Sequence, residues 1–561
     1  MAKSLAIVVA QTNPTVGDLD GNLTEINDIV AANADADLIV FPECVLTGYP
    51  LDDLVTRQGF LADVAQRLDK LAAMVMTLNG PHVLVGAPQA GANLPFNAAF
   101  MLGPDGSRRI AHKFDRPNDG PFDEVRTFAQ GDLRAPFDVK GVKVGVMICE
   151  EMWHPTVAKH LAGELADVLV VINGSPYTRC KEKVRLKHAR RRVQETSLPL
   201  IYVNMVGGQD ELVFDGASFA VNDEGSEVMR MPAFKATERK IELKGGFGES
   251  VELSCDAPLD PYPDPLRADY LACVLGLRDY VVKTGFKGVV IGESGGIDSA
   301  LVTAMAVDAL GPERVLAVTM PSRVTSGDNL SDAHRVADAC GIRIREIPIA
   351  PIVSAFEDVL AKPGDTSIAR ENIQARVRMT VLMRISNAES LLPVTTGNKS
   401  EVSVGYCTLY GDMAGGFNPI KDLYKTEVFA MARFRNKVRP DGCLGPARDL
   451  IPQPVIDKPP SAELAEGQTD EATLGPYVVL DLLLRRIVDD EMPAHQAARE
   501  AQAALKGQVE ERFLTRQHAD FVASLVRRAE HKRRQAAPGP KIGPRAYGRD
   551  RRYPIVNKHC F

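Results

Sequence analysis

Residues 287–310, KGVVIGESGGIDSALVTAMAVDAL, constrain the fold of this chain more than any other stretch. KGVVIG (287–292) is a short β-branched apolar run, and IDSALVTAMAVDAL (297–310) has the composition of a buried helix. A strand that passes through a tight glycine turn into a helix belongs to a parallel α/β sheet, because parallel neighbours need a crossover between them. The two glycines of SGG let the backbone approach a ligand, and the free N–H groups of the first helical turn point at an anion. The G-K-[ST] ending of a Walker loop is missing.

The same rhythm runs through the whole chain, so the fold class is α/β. At 561 residues two or more domains are expected. In the first half LAIVVAQ (5–11), ADLIVFPE (36–43), HVLVGAP (82–88), VKVGVMICE (142–150), ADVLVVING (166–174) and PLIYVNMVG (199–207) read as buried strands. SVELSCDAPLDPYPDPLR is dense in proline and aspartate and reads as a connection. The domains are therefore placed at 1–250 and 266–561, with a linker at 251–265. Hydrophobic residues make up 45% and charged residues 25%, the balance of a soluble globular protein, and the formal charge of −7 argues against nucleic acid as a partner. No run approaches a membrane span, and the apolar stretch at the start is too short for a signal sequence. Nine dispersed cysteines with no C-x-x-C pair argue against a disulfide framework and a zinc ribbon, and place the chain in a reducing cytoplasm.

Three chemically distinct residues fall at predicted strand ends: Glu43 in LIVFPE, Lys113 in RIAHK and Cys149 in VGVMICE. Strand ends on one edge of an α/β fold converge, so these three can share a site. A cysteine beside a lysine is expected to be partly thiolate. The carboxylate would take the thiol proton and later activate water, and the lysine would stabilise an oxyanion.

Two resemblances extend these readings. G-x-S-G-G-x-D-S resembles the pyrophosphate loop of the ATP pyrophosphatases, which implies that ATP binds at Gly292, Ser294, Gly295, Gly296, Ile297, Asp298 and Ser299, with Asp298 a ligand of Mg²⁺. F-P-E, H-K and I-C-E-x-x-W together resemble the nitrilase superfamily, with its αββα sandwich and Glu-Lys-Cys triad. That resemblance implies catalysis by Cys149, Lys113 and Glu43, aided by Glu124 of PFDEVRTF, and glutamine contacts at Ser175 and Lys181 in and after NGSPY.

The two motif sets in this order resemble the long, glutamine-dependent NAD synthetases over nearly the whole chain. The resemblance implies a C-terminal doubly wound parallel sheet of the adenine nucleotide α hydrolase, Rossmann-like type. It implies that Thr396, Lys425 and Ser461 also face ATP and that Glu401 joins Asp298 at Mg²⁺ or meets the dinucleotide. Asn372, Arg376, His531 and Lys532 would face deamido-NAD⁺. The substrates would be deamido-NAD⁺, ATP and glutamine or ammonia, with an enclosed ammonia path and a homo-oligomeric, octameric assembly. Three positions depart from the family pattern. Glu293 stands where a small or apolar residue is usual, Asp119 stands where a glutamine-binding tyrosine is usual, and Glu151 replaces an aspartate. A carboxylate at 293 would repel triphosphate unless it pointed away or saw the metal. Two rival readings are an amidating enzyme with another glutaminase fold and a nucleotide-binding protein with a relict site. The internal Cys149 with Lys113 and Glu43 speaks against the first, and the intact set of site residues against the second.

Overall fold

The structure is a computed structural model that describes residues 4–245, 251–360, 362, 367–460, 471 and 474–559. It divides into two compact units: Met1–Gln209 with Val213–Pro263, and Asp210–Leu212 with Asp264–Phe561. Residues Glu252–Ser254, inside the segment read as a linker, form a strand on the edge of the first unit's sheet. Proline and aspartate density marks the turns around that strand but hides its three residues.

The first unit is built on two sheets. One runs Glu252–Ser254, Thr237–Lys244, Ser4–Gln11, Leu38–Val40, His82–Gln89, Phe96–Leu102, Arg108–His112, with a parallel centre. The other runs Glu227–Arg230, Phe219–Val221, Leu200–Asn204, Val168–Asn173, Val142–Ile148, Phe137–Val139. Strand alternation explains the layers. Ile7, Val9, Val144, Val146 and Ile148 share one core between the sheets. Their alternate neighbours point outward, Val8 towards helices Leu19–Ala32 and Gln58–Leu78, and Met147 towards helices Pro155–Gly163 and Lys181–Thr196. The result is a helix–sheet–sheet–helix sandwich.

The second unit holds a parallel sheet in the order Arg343–Glu346, Val315–Thr319, Gly288–Gly292, Leu391–Val394. The chain winds one way from the first strand and then returns to its other side, so the strand order reverses beside Gly288–Gly292. Such a switch point opens a crevice at the carboxyl ends of the strands. Helix Ile297–Leu310 spans the residues expected of it and is buried almost throughout. Within it Asp308 pairs with Arg435 through two N–H bonds, at 2.5 and 2.9 Å, and accepts the Tyr270 hydroxyl at 2.6 Å, which pins the helix that carries the glycine turn. The Ile373, Val377, Val381, Ile385 ladder of helix Ser367–Glu389 packs on the sheet. In the basic run His531–Arg534, Arg533 is buried and donates to Ser403 O at 2.6 Å and to Glu530 at 2.7 Å, while His531 and Arg534 are exposed. Among the described residues no helix is long and apolar enough to cross a membrane.

Candidate active sites

In the first unit, Glu43 lies just beyond Leu38–Val40, Lys113 directly follows Arg108–His112, and Cys149 directly follows Val142–Ile148. The Lys113 ammonium stands 2.8 Å from Glu43 Oε1 and 2.9 Å from Glu124 Oε2, with all three side chains buried. Glu43 Oε2 accepts the Gly174 N–H at 2.8 Å. A Cβ on Gly174 would sit 2.7 Å from Tyr49 Cδ1, so only glycine lets the backbone come this close. Sequence reasoning missed two members of the site. Asn97 donates to Glu43 at 2.7 Å and to Glu124 at 3.1 Å, and Tyr49 donates to Glu124 Oε1 at 2.9 Å.

Electrostatics assigns the resting charges. Burial pushes the Lys113 ammonium towards neutrality, but Glu124 and Glu43 outweigh it and hold its proton firmly. Burial also raises the Glu124 carboxyl, against the pull of Lys113. The expectation of a partial thiolate at Cys149 is corrected. Burial pushes its thiol well up and the Glu43 charge adds to this, while Lys113, shared between carboxylates, pulls back too weakly. Cys149 has φ 49°, a left-handed conformation that costs a non-glycine residue on the order of 1–2 kcal/mol. It opens the short turn Cys149–Met152.

Glu151, the departure from aspartate, braces this turn. Its two oxygens accept the N–H of Ile148, next to Cys149, at 2.6 Å and that of Phe114, next to Lys113, at 2.5 Å. Burial pushes its carboxyl up to about 8 from an ordinary 4.5, against those two donors. The folded protein therefore holds a proton that the unfolded chain releases, and stability from this group falls as pH rises from about 4.5 to about 8. Thermal unfolding of Glu151→Gln across pH 5–8.5 is expected to lose this fall, so the gap between its midpoint and the wild-type midpoint changes with pH. Midpoints that run parallel would refute it.

The glutamine contacts expected from sequence are dispersed in character. Ser175 is buried, with its N–H on Asn204 Oδ1 at 2.9 Å and its hydroxyl oxygen accepting Arg185 Nε at 3.1 Å. The Lys181 ammonium lies 4.3 Å from the centre of the Trp153 ring, and Asp119 is exposed.

In the second unit, a cavity open to solvent occupies the switch point. Gly292, Ser294, Gly296, Ile297, Asp298, Ser299, Thr396, Glu401 and Lys425 line it, with an apolar wall from Val318, Met320, Met379 and Leu382. Gly295 has φ +78°, and a Cβ there would lie 2.3 Å from Asn329 O. Helix Lys399–Val404 explains the placing of Glu401: Asn398 caps it, and Glu401 N–H donates back to Asn398 Oδ1 at 3.1 Å. Asn398 Nδ2 also donates to Asp298 Oδ1 at 2.9 Å, a contact with no signature in the sequence. Buried Lys425 lies between two carboxylates, bonded to Asp298 Oδ2 and 3.2 Å from Glu401 Oε1.

These carboxylates fit a magnesium ion. Mg²⁺ keeps several waters and binds through one or two carboxylates plus substrate phosphates, so a full protein cage is not required. Among the described residues no cluster of three His, Cys, Asp or Glu forms such a cage. Glu293, the other departure, is among the residues lining the cavity, but its carboxylate is closed off from solvent. It is buried under the loop, where its oxygens accept Gly295 N–H at 3.0 Å and the Ser299 and Thr303 hydroxyls at 2.7 Å each.

Asn372, Arg376 and Lys532 meet on one loop. Thr408 donates to Asn372 Oδ1 at 2.8 Å, Arg376 donates to Leu409 O at 3.2 Å, and Lys532 donates to Gly405 O and Cys407 O at 2.7 Å. His531 does not join them; its ring is 3.0 Å from Arg528 O. Ser461 lies outside the described residues.

Two family models match these two units in turn, carbon-nitrogen hydrolase over residues 6–238 and NAD synthase over residues 270–536. A glutamine-dependent NAD(+) synthetase of Rhodobacter capsulatus is 44% identical over all of this chain and 99% of its own length. This chain belongs to the glutamine-dependent NAD(+) synthetase family. A second member, from Xanthomonas campestris, is 42% identical over 99% of this chain and 98% of its own. The solved glutamine-dependent NAD+ synthetase of Acinetobacter baumannii, in complex with adenosine diphosphate, is 36% identical and covers 99% of both chains with a TM-score of 0.75. That of Cytophaga hutchinsonii, at 20% identity and TM-score 0.80, shares the fold.

Proposed function

We propose that this chain makes NAD⁺ from deamido-NAD⁺, ATP and glutamine, releasing AMP, pyrophosphate and glutamate. The observation that carries the reading is the presence in one chain of a buried Glu43–Lys113–Glu124 cluster beside Cys149 and of the loop and Lys425 at a switch-point cavity. The unit that ends at Pro263, with Glu252–Ser254 on its sheet, is the glutaminase, and the unit that begins at Asp264 is the synthetase.

At the first site Glu43 takes the proton of Cys149 as sulfur attacks the amide carbon of glutamine. Lys113 stabilises the oxyanion, and Glu43 returns the proton to the leaving ammonia. Water, activated by Glu43, then cleaves the thioester. Glu124 keeps Lys113 charged and placed. Ser175, Lys181 and Asp119 contact the amino-acid end of glutamine, where a cation and an anion suit its two charges.

At the second site the apolar wall takes adenine and the loop takes the phosphates. The carboxylate of deamido-NAD⁺ attacks the α-phosphorus, the bond to the β-phosphate oxygen breaks, and pyrophosphate leaves. Lys425 and the loop N–H groups offset charge on that leaving group. Mg²⁺, held by Asp298 and Glu401 with substrate phosphates, supplies further charge neutralisation there when bound. Ammonia then displaces AMP from the acyl-adenylate. Thr396 faces ATP, and Asn372, Arg376 and Lys532 face the dinucleotide, whose phosphates call for cations. Free ammonia protonates in bulk water, so the same reading includes an enclosed path. It also includes a homo-oligomer, octameric in form, working in the cytoplasm, in keeping with the dispersed cysteines.

The test is NAD⁺ formation by the purified protein with Mg²⁺, ATP and deamido-NAD⁺, with glutamine in one tube and ammonium in another. Product in both is expected. Product in neither would sink the reading.

A further inference from the structure

The geometry points to Glu293 as a positioning residue for the triphosphate of ATP, acting from beneath the loop through Ser299 and Gly295. The inference rests on the proposed reading that this loop binds ATP. A buried carboxylate directly under a phosphate site is costly unless donors fill it, and here three donors converge on it. Burial still pushes its carboxyl up, against those donors.

The bonds form a directed chain. Ser299 has one hydroxyl proton, and its shortest acceptor is Glu293 Oε1 at 2.7 Å, ahead of Gly296 O at 3.0 Å. Ser299 Oγ is then left as acceptor for the Ser294 N–H at 3.3 Å and the Ser294 hydroxyl at 3.1 Å. Ser294 Oγ in turn accepts the Gly296 N–H at 3.2 Å. The acceptor at 293 therefore sets the direction of the one bond here that could run either way, between the Ser294 and Ser299 hydroxyls. The second arm, to Gly295 N–H, fixes a peptide at φ +78° against Asn329 O, where no side chain would fit. The third, to Thr303, ties the carboxylate to the next turn of helix Ile297–Leu310. An apolar residue at 293 would leave Gly295 N–H and the Ser299 hydroxyl to find other partners, and the loop would lose its set shape before ATP arrives.

The test compares Glu293→Leu, Glu293→Gln and Thr303→Val in ammonium-dependent NAD⁺ formation. KM is measured separately for ATP and deamido-NAD⁺, with thermal midpoints alongside. Glu293→Leu is expected to raise KM for ATP by about 10- to 100-fold, the scale of lost bonds to a charged group, and to leave KM for deamido-NAD⁺ within about twofold. Glu293→Gln keeps an acceptor oxygen and is expected to restore KM for ATP to within about threefold of wild type. Thr303→Val removes one outer arm and is expected to raise it by about 2- to 5-fold. If Glu293→Leu does not fold, the glutamine and valine variants decide the matter. Unchanged KM for ATP in the leucine variant, a glutamine variant as impaired as the leucine one, or an equal rise for both substrates would overturn the assignment. An unsubstituted protein that neither makes NAD⁺ nor is stabilised by ATP would overturn it together with the reading beneath it.

Discussion

A Cys149→Ala protein is expected to lose glutamine hydrolysis by on the order of 10⁵-fold, the scale of deleting a covalent nucleophile, while its ammonium-dependent NAD⁺ formation stays within about twofold of wild type. The asymmetry follows from where the residue sits. Cys149 belongs to the sandwich unit, and all the groups lining the switch-point cavity belong to the other. Alanine keeps the buried Cβ and removes only sulfur, so the strained turn and the Glu43–Lys113 pair should survive. Initial rates with glutamine and with ammonium, measured on one preparation, check both halves. Loss of both activities would mean that Cys149 holds the fold rather than attacks an amide.

The converse change acts on the other unit. Lys425→Ala is expected to lower NAD⁺ formation from either nitrogen source by about 10²–10³-fold, as removal of a charged transition-state contact does elsewhere. Two effects combine. The leaving pyrophosphate loses a cation, and Asp298 and Glu401 lose the ammonium between them. Two bare carboxylates would then face incoming phosphates. Glutamate release from glutamine is the control that should survive. Because Lys425 is buried, a thermal midpoint belongs beside the rates. A variant that is fully folded and fully active would remove Lys425 from the mechanism.

Much of this architecture was legible in the sequence because it is local. The glycine turn, the helix at 297–310 and the alternating apolar strands depend on neighbours in the chain, and the structure has them at those residues. The meeting of Glu43 and Lys113, with Cys149 close enough to feel both charges, agrees with the reading from strand ends. Cys149 nevertheless follows a strand of the second sheet, and the strand before Lys113 pairs antiparallel. What the sequence hid depends on pairing across long separations. Asn97 reaches Glu43 only because Phe96–Leu102 lies antiparallel beside His82–Gln89, and FNAAF announces nothing. The Cys149 thiol was misjudged because a lysine nearby is visible in a motif, whereas the depth of burial and the carboxylates competing for that lysine are not. Glu293 looked repulsive for a related reason. A sequence gives the charge of a side chain but not the side of the loop from which it acts.

The resting state of Cys149 has a consequence for chemical durability. Peroxides and alkylating agents consume thiolates, and a buried cysteine kept protonated by its surroundings offers them little. Oxidants and alkylating agents are therefore expected to react more slowly at Cys149 than at the exposed Cys180. In the proposed reaction the reactivity of Cys149 would arise only with an amide bound, when Glu43 would take the proton.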